Sequence, residues 1–202
     1  MNNTSNLLLL RHGPTNATTM GAPLGKLDLP VNSYGQTIWP QVRKELLELN
    51  IQQVITSNLC RARDHAIDLG IPYKVIAALN EQDFGAWDGL PWSSISGAQA
   101  FFTDPINNTP PNGESFRDCV NRVSLVIKTL SITNVSTLIL AHSGSLRIIL
   151  AYFLGIPIDR ILDFSWQPYG LSKINIYDNQ QRGILRYHNI SLPLLAAPTQ
   201  LL

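Results

Sequence analysis

Two short stretches of the chain end in the same way, with an apolar run followed by a histidine. His12 follows residues 7–11 and precedes a glycine, and His142 follows residues 137–141 and precedes Ser143 and Gly144. Each run is short, rich in branched residues and bounded by turn formers, so each predicts a buried strand. Open α/β sheets bind their ligands at the carboxyl ends of such strands. The two histidines could therefore face each other across one pocket.

Two arginines and a glutamate occupy comparable positions. Arg11 directly precedes His12, Arg61 follows the second predicted strand, and Glu81 follows the third. Guanidinium groups are bidentate donors suited to phosphate oxygens. A neutral imidazole can attack phosphorus, and a second imidazole can stabilise the charge that develops. A carboxylic acid can protonate the leaving oxygen and later activate water. The set predicts phosphoryl transfer without a metal.

Other chemistries fit these residues less well. Zinc binds paired histidines, but the neighbouring arginines would repel a cation, so we expect neither a metal nor another cofactor. Ser143 and Ser145 beside His142 suggest a serine hydrolase, yet the GxSxG elbow is absent and no acid partner is evident. The two remaining histidines, His65 and His188, have no such neighbours, and we interpret them as surface or packing residues.

Strand-like and helix-like segments alternate along the chain. This order predicts an α/β fold, a three-layer α/β/α sandwich with a mostly parallel central sheet. Strands are predicted at residues 7–10, 53–57, 73–77, 137–142, 172–177 and 183–187. The last two should form a hairpin around Asp178-Asn179. Helices are predicted at residues 33–50, 61–69, 115–130 and 144–154.

Two connecting segments are long. Residues 14–33 form a loop rich in glycine and proline, long enough to be functional. Residues 80–111 are irregular, with room for one short helix. Ser33 is expected to cap the first helix, and Pro40 to delay its start or to kink it.

Composition limits the classes of partner. At 202 residues, with 45% hydrophobic and 14% charged residues, the chain is expected to form one globular domain over residues 1–202. Its net charge of +1 argues against nucleic acid, and no apolar run is long enough for a membrane span. Two cysteines without metal-ligand spacing indicate a reducing compartment. We expect a cytoplasmic protein that binds a small molecule, with a homodimer possible.

Five motifs, in order, resemble the histidine phosphatase superfamily (branch 1), whose fold is that of the phosphoglycerate mutases. They are LRHG at 10–13, SNLCRA at 57–62, EQDFGAWDG at 81–89, PNGES at 111–115 and AHSGSLR at 141–147. The resemblance implies that His12 accepts the phosphoryl group and that Glu81 donates a proton. It further implies that the phosphate pocket is completed by Arg11, Arg61, His142 and the backbone N–H of Ser143.

Within that superfamily the chain resembles the alpha-ribazole phosphatases of cobalamin assembly, in residues 25–30, 83–92 and 190–194. The family's mutases usually carry an asparagine in the loop after RHG and a longer insertion. Thr18 stands roughly at that asparagine position and the insertion is lacking, which favours a phosphomonoester hydrolase. Other departures from the family pattern are Pro14, Asn58, His65 and Ser143. A phosphoglycerate mutase, a broad-specificity phosphatase and a non-catalytic phosphate-binding regulator stay open as alternatives.

Several further side chains receive structural interpretations. We expect solvated or ion-paired side chains at Arg63, Arg147 and Lys26. Lys26 lies in the long loop and could reach a substrate. Asp83 and Glu114 are expected to anchor loops or helices. Trp87 and Trp92 are expected in the core, although an aromatic ring near the catalytic glutamate could stack on a flat leaving group.

Overall fold

The computed structural model describes residues 5–130, 132, 135–177 and 182–193. The strands in this part of the chain are β1 (Ser5–Arg11), β2 (Gln53–Thr56), β3 (Tyr73–Val75), β4 (Thr137–Ala141), β5 (Gly170–Tyr177) and β6 (Arg182–Ser191). They form one sheet in the order β3-β2-β4-β1-β5-β6. The first four strands are parallel, whereas β5 is antiparallel to both β1 and β6. The predicted hairpin turn, Asp178-Asn179, lies outside the described residues.

The helices are α1 (Asn16–Thr19), α2 (Ser33–Leu47), α3 (Cys60–Asp68), α4 (Ala98–Phe101), α5 (Phe116–Ile127) and α6 (Ser143–Leu154). The leucines of β1 alternate between the two faces of the sheet. Leu7 and Leu9 pack in one core cluster with α5 and α6, and Leu8 and Leu10 pack in another with α2 and α3. Burying each leucine stabilises the fold by about 1.5–3 kcal/mol. The predicted α/β class with helices on both faces of a mixed sheet is confirmed.

The start of α2 differs from the prediction. Asn32, not Ser33, is the N-cap, because its side-chain oxygen accepts the N–H of Gly35 at 2.9 Å. The helix begins at Ser33 without the delay expected from Pro40 and continues past the proline to Leu47. Pro40 has no N–H to donate, but the packing of the buried helix face stabilises the helix at that position. The buried face consists of Gly35, Trp39, Val42 and Leu46.

Other elements agree with the patterns to within a few residues. Ser115 caps α5 in a reciprocal arrangement, since its hydroxyl accepts the N–H of Asp118 at 3.1 Å and that carboxylate accepts the N–H of Ser115 at 3.2 Å. The irregular segment 80–111 contains α4 as its short helix. The long loop after β1 carries α1, which the sequence did not predict.

The topology gathers several chain segments at one edge of the sheet. Strands β1, β2 and β4 are adjacent and parallel, so their carboxyl ends lie together. His12, Ser57 and His142 each follow one of these strands directly. Among the described residues, no helix has the length and apolar character needed to cross a bilayer.

Candidate active site

The two strand-ending histidines are neighbours in space. Arg11 pairs with Ala141 in the register of β1 and β4, and the N–H of His12 donates to the carbonyl of Ala141 at 3.0 Å. The ring centroids of His12 and His142 are 5.1 Å apart, with an angle of 59° between the rings. Both residues are buried. The pairing expected from the two motifs is present in the structure.

The hydrogen bonds of His12 assign its protonation. Its Nδ1 lies 2.6 Å from the carbonyl oxygen of Gly13, which can only accept, so Nδ1 carries the hydrogen. Burial lowers the pKa of His12 well below the ordinary value, and the charges of Arg61 and Arg11 lower it further. The ring is therefore neutral near pH 7, with the lone pair on Nε2. This is the state of an imidazole nucleophile.

His142 has the opposite arrangement. Its Nε2 lies 2.7 Å from the hydroxyl of Ser57, which itself accepts the N–H of Leu59 at 3.3 Å. When the Ser57 hydroxyl donates to Nε2, the hydrogen of the neutral ring lies on Nδ1, which is buried and has no partner within the described residues. Burial, followed by the nearby Arg61, lowers the pKa of His142 well below its usual range. In that tautomer His142 can donate from Nδ1, whereas His12 has its free lone pair on Nε2.

Backbone carbonyls hold the two predicted phosphate-binding arginines. Arg11 donates from one terminal nitrogen to the carbonyl of Trp166 at 2.5 Å. Arg61 is buried and donates to the carbonyls of Leu24, Gly25 and Leu27 at 2.8–3.0 Å. Burial lowers the pKa of Arg11 to about 10 and also lowers that of Arg61. Both side chains stay charged at neutral pH and are fixed in place.

Three donors at this site have no partner. Within the described part of the chain, Nε of Arg11, Nε of Arg61 and Nδ1 of His142 are buried and make no hydrogen bond. Unsatisfied buried donors are costly and rare in native structures. The charges of both arginines act on both histidines, which places all four side chains close together. The cluster is suited to a bound oxyanion.

Glu81 lies at the N-terminus of α6. The N–H of Gly144 donates to both carboxylate oxygens at 3.0 Å, and the N–H of Gln82 donates to Oε1 at 3.0 Å. A helix N-terminus favours a negative group. A Cβ on Gly144 would come within 2.2 Å of Oε1, so only glycine allows this approach. The carboxyl group is thereby fixed beside the histidine cluster.

A cavity of about 310 Å³ opens over this cluster. Its polar side, as we call it, consists of Arg11, His12, Thr18, Glu81, Ser143, Gly144 and Arg147. Thr18 also exchanges hydrogen bonds with Thr15 that cap α1. Ser143 begins α6, where backbone N–H groups have no intrahelical acceptor. Arg61 and His142 are not among the lining residues, and the ring of His142 adjoins that of His12.

Most of the other residues that line the cavity are apolar. Its aromatic side, as we call it, consists of Phe84, Trp92, Phe101 and Phe102. The rings pack on one another, with centroids 5.9 Å apart for Trp92 and Phe101 and 4.9 Å apart for Trp92 and Phe102. Trp92 thus lines the cavity, whereas Trp87 only packs behind it against Trp92 and Phe101. A flat group bound over the histidines would meet these rings.

The sequence missed Arg147 as a cavity residue. Its Nε donates to the carbonyl of Phe164, and its side chain makes no ion pair within the described residues. Burial lowers its pKa, while the charge of Glu81 raises it. Arg147 follows Gly144 by three residues, so both lie on one face of α6. The three-residue spacing between Gly144 of the His-Ser-Gly motif and Arg147 is the sequence signal that could have indicated the position of Arg147.

His65, His188, Lys26 and Arg63 make the packing or ion-pair contacts expected of them, whereas Trp87 and Trp92 are half-buried and are not the core residues expected from the sequence. His65 packs on Trp39 with ring centroids 3.9 Å apart, and His188 packs on Trp166 at 4.9 Å. Lys26 pairs with Asp83 at 2.7 Å, and Arg63 pairs with Asp64. The described residues contain no group of three or more histidine, cysteine or acidic side chains that could hold a metal ion.

Comparison with known proteins gives concordant matches. The model of the histidine phosphatase superfamily (branch 1) matches residues 7–189. An adenosylcobalamin/alpha-ribazole phosphatase of Escherichia coli (strain K12) is 29% identical over 91% of this chain and 95% of its own length. A glucosyl-3-phosphoglycerate phosphatase of Mycolicibacterium vanbaalenii is 25% identical over 76% of each chain.

Solved structures show the same similarity. The crystal structure of the alpha-ribazole phosphatase from Shigella flexneri superposes with a TM-score of 0.81 and 28% identity. The superposition covers 91% of this chain and 96% of that one. The two proteins therefore share one fold over most of their length.

Proposed function

Since this chain belongs to branch 1 of the histidine phosphatase superfamily, we propose that it hydrolyses phosphomonoesters through a phosphohistidine on His12. The family and the class of enzyme, a phosphatase, are as predicted. One observation carries the mechanism: buried nitrogen atoms of Arg11, Arg61 and His142 have no partner among the described residues, and all three side chains act on or adjoin His12, whose Nε2 has a free lone pair. Such a site binds an anion beside a nucleophile.

In the first step the substrate phosphate accepts hydrogen bonds from both arginines, from Nδ1 of His142 and from the N–H of Ser143. Nε2 of His12 attacks phosphorus in line with the leaving oxygen. The bond between phosphorus and that oxygen breaks, and protonated Glu81 gives its proton to the departing alcohol. The positive groups stabilise the charge on the transferring phosphoryl group.

In the second step the carboxylate of Glu81 removes a proton from water. The water oxygen attacks phosphorus, the bond from phosphorus to nitrogen breaks, and its electron pair returns to Nε2 of His12. Inorganic phosphate leaves and Glu81 is again protonated. The same carboxyl group thus serves as acid and then as base. The protein groups in this cycle are side chains of this chain and the backbone N–H of Ser143.

We propose alpha-ribazole 5'-phosphate, an intermediate of cobalamin biosynthesis, as the substrate. The Escherichia coli and Shigella flexneri relatives carry that activity in their names. The aromatic side of the cavity fits a leaving group with a flat heterocyclic base. The unpaired thiols of Cys60 and Cys119 support the proposal of a cytoplasmic enzyme.

The decisive test is to trap the phosphoenzyme with labelled substrate and to locate the label by mass spectrometry. We expect the label on His12, and we expect His12→Ala to remain folded but to lose at least about 10⁴-fold in kcat. His188→Asn, which changes a histidine outside the cavity, should retain the label. A label on any other residue would refute the mechanism.

A substrate panel tests the leaving group separately. Alpha-ribazole 5'-phosphate should give a higher kcat/KM than sugar phosphates, nucleotides or phosphoglycerates. Phosphoglycerate interconversion that depends on a bisphosphate primer would instead indicate a mutase. Absence of hydrolysis for every ester would indicate a non-catalytic phosphate-binding protein.

A further inference from the structure

Glu81 lies on backbone without regular structure. It is between two short 3₁₀ turns, Ala77–Leu79 and Gly85–Trp87. Neither a helix nor a sheet therefore fixes the main chain that carries the proposed acid and base. A group that transfers protons must be held within hydrogen-bond reach of the reacting oxygen. Other contacts have to provide that constraint here.

Arg122 supplies those contacts on one side of Glu81. It extends from α5, and its guanidinium donates to the carbonyls of Ala78 at 2.8 Å, Asn80 at 3.2 Å and Glu81 at 3.3 Å. Three of the four carbonyls of residues 78–81 are thus bound to one side chain. The planar fork of an arginine suits such a set, which a lysine could not reproduce.

Glu114 completes the arrangement on the other side. Its Oε1 accepts from Arg122 at 2.5 Å and from the N–H of Asp83 at 3.1 Å. Its backbone carbonyl accepts from the side chain of Gln82 at 3.0 Å. The main chain before and after Glu81 is therefore tied to one partly buried ion pair.

We propose that Arg122 and Glu114 form a positioning pair for Glu81 and thereby set its efficiency in proton transfer. The inference rests on the proposed function. Neither side chain lines the catalytic cavity; both line a separate polar pocket on the other side of Glu81. Glu81 is then held at two points, its carboxylate by Gly144 of α6 and its backbone by Arg122 of α5.

The dependence on the leaving group distinguishes positioning from general structural support. A good leaving group such as 4-nitrophenolate departs without a proton, whereas an alkoxide needs one. For kcat/KM, which reports the first chemical step, Arg122→Lys should lose at least about tenfold more with an alkyl phosphate than with 4-nitrophenyl phosphate. Glu81→Gln and Glu114→Gln should show the same selective loss of kcat/KM with the alkyl phosphate.

Arg43→Lys serves as the matched control, because Arg43 bonds a carbonyl and a carboxylate of Asp68 on the other side of the sheet. The kcat/KM of Arg43→Lys should fall only slightly, and by the same factor for both esters. Equal losses for the two esters in Arg122→Lys and Glu114→Gln, with unchanged unfolding temperatures, would overturn the inference. Selectivity in these variants without selectivity in Glu81→Gln would also overturn it.

Phosphoenzyme labelling separates the two proposals. If wild-type protein carries the label on His12, the proposed function stands whatever the ester series shows. If the label is absent from His12, the proposed function fails, even if Arg122 controls the rate. Glu114→Gln replaces the carboxylate by a neutral amide of the same size and gives a second variant should Arg122→Lys fold poorly.

Discussion

The two sides of the cavity are built in different ways. The polar side follows the ends of β1 and β4 and the start of α6, and His12 within it is only 4% exposed. The aromatic side belongs to residues 84–102, which contain only short turns and α4, and Phe102 is 53% exposed. Its rings are held mainly by one another. The two histidines thus follow strands of the sheet, whereas the aromatic side, which we propose to recognise the alcohol, lies on an irregular segment.

This difference predicts two kinds of mutational effect. A change in the phosphate-binding groups of the polar side should lower the rate for all substrates, because every phosphomonoester meets them, whereas a change at Glu81 should lower it most for esters whose leaving group needs a proton. A change on the aromatic side removes contacts that only some alcohols make, so it should alter selectivity. The following variants test that division, beginning with the largest expected effect.

Gly144→Ala should disturb the polar side most among conservative changes. The added Cβ would lie 2.2 Å from Oε1 of Glu81 and must displace that carboxyl group. Because general acid–base catalysis contributes about 10²–10⁴-fold, we expect kcat/KM to fall about 10²-fold with alkyl esters. Steady-state kinetics with thermal unfolding checks this.

Gly70→Ala is a suitable control for that variant, since a Cβ at Gly70 meets no atom within 4 Å and any cost there arises from its positive φ of 70°. It should lose stability without loss of activity in the folded protein. Full activity of Gly144→Ala would show that the position of Glu81 does not govern the rate.

Trp92→Ala should affect the aromatic side by a smaller amount. Stacking of a base on an aromatic ring contributes about 1–3 kcal/mol, so KM for alpha-ribazole 5'-phosphate should rise about tenfold. Small aliphatic phosphates should keep their kinetic constants. Competition by inorganic phosphate, measured as an inhibition constant, should be unchanged.

Leu125→Ala is the matched control for that truncation, because Leu125 is a large apolar residue that is 67% exposed and outside the cavity. It should leave both substrates unaffected. Equal losses for the aromatic and the aliphatic ester in Trp92→Ala would contradict a role of this side in selecting the alcohol.

The difference between the polar side and the aromatic side also explains which features can be predicted from the sequence. His12 and His142 were predictable because a buried strand ends at each, and the parallel pairing of β1 with β4 brings strand ends together. Glu81 followed from its motif rather than from geometry. The strands and the two helical layers were predictable because apolar periodicity records which face is buried.

Other features depend on tertiary contacts that leave no local pattern. The sequence predicts a solvated or ion-paired Arg147, because a single arginine in a helical segment does not show that its side chain lines a cavity together with Glu81. The carbonyls bound by Arg122 come from residues more than 40 positions earlier in the chain. The aromatic side unites Phe84 and Trp92 with α4, an assembly that no repeat period encodes.

The smallest predicted effect concerns pH and stability. Burial lowers the pKa of His12 and of His142, so both stay neutral in the folded protein while the unfolded chain binds protons near pH 6.5. Between pH 7.5 and pH 5.5 the unfolded state therefore binds more protons. The free energy of unfolding should fall as pH falls, by up to about 1.4 kcal/mol per pH unit for each histidine.

Urea unfolding at a series of pH values measures this slope. His12→Gln should reduce it because one buried neutral imidazole is removed, whereas Trp92→Ala should leave it unchanged because residues 84–102 contain no histidine. An identical slope in wild type and His12→Gln would show that His12 is not the group held neutral by folding. A shallower slope in Trp92→Ala would show that the aromatic side contributes to keeping the polar side dry, because hydration raises the pKa of the buried histidines toward the unfolded value.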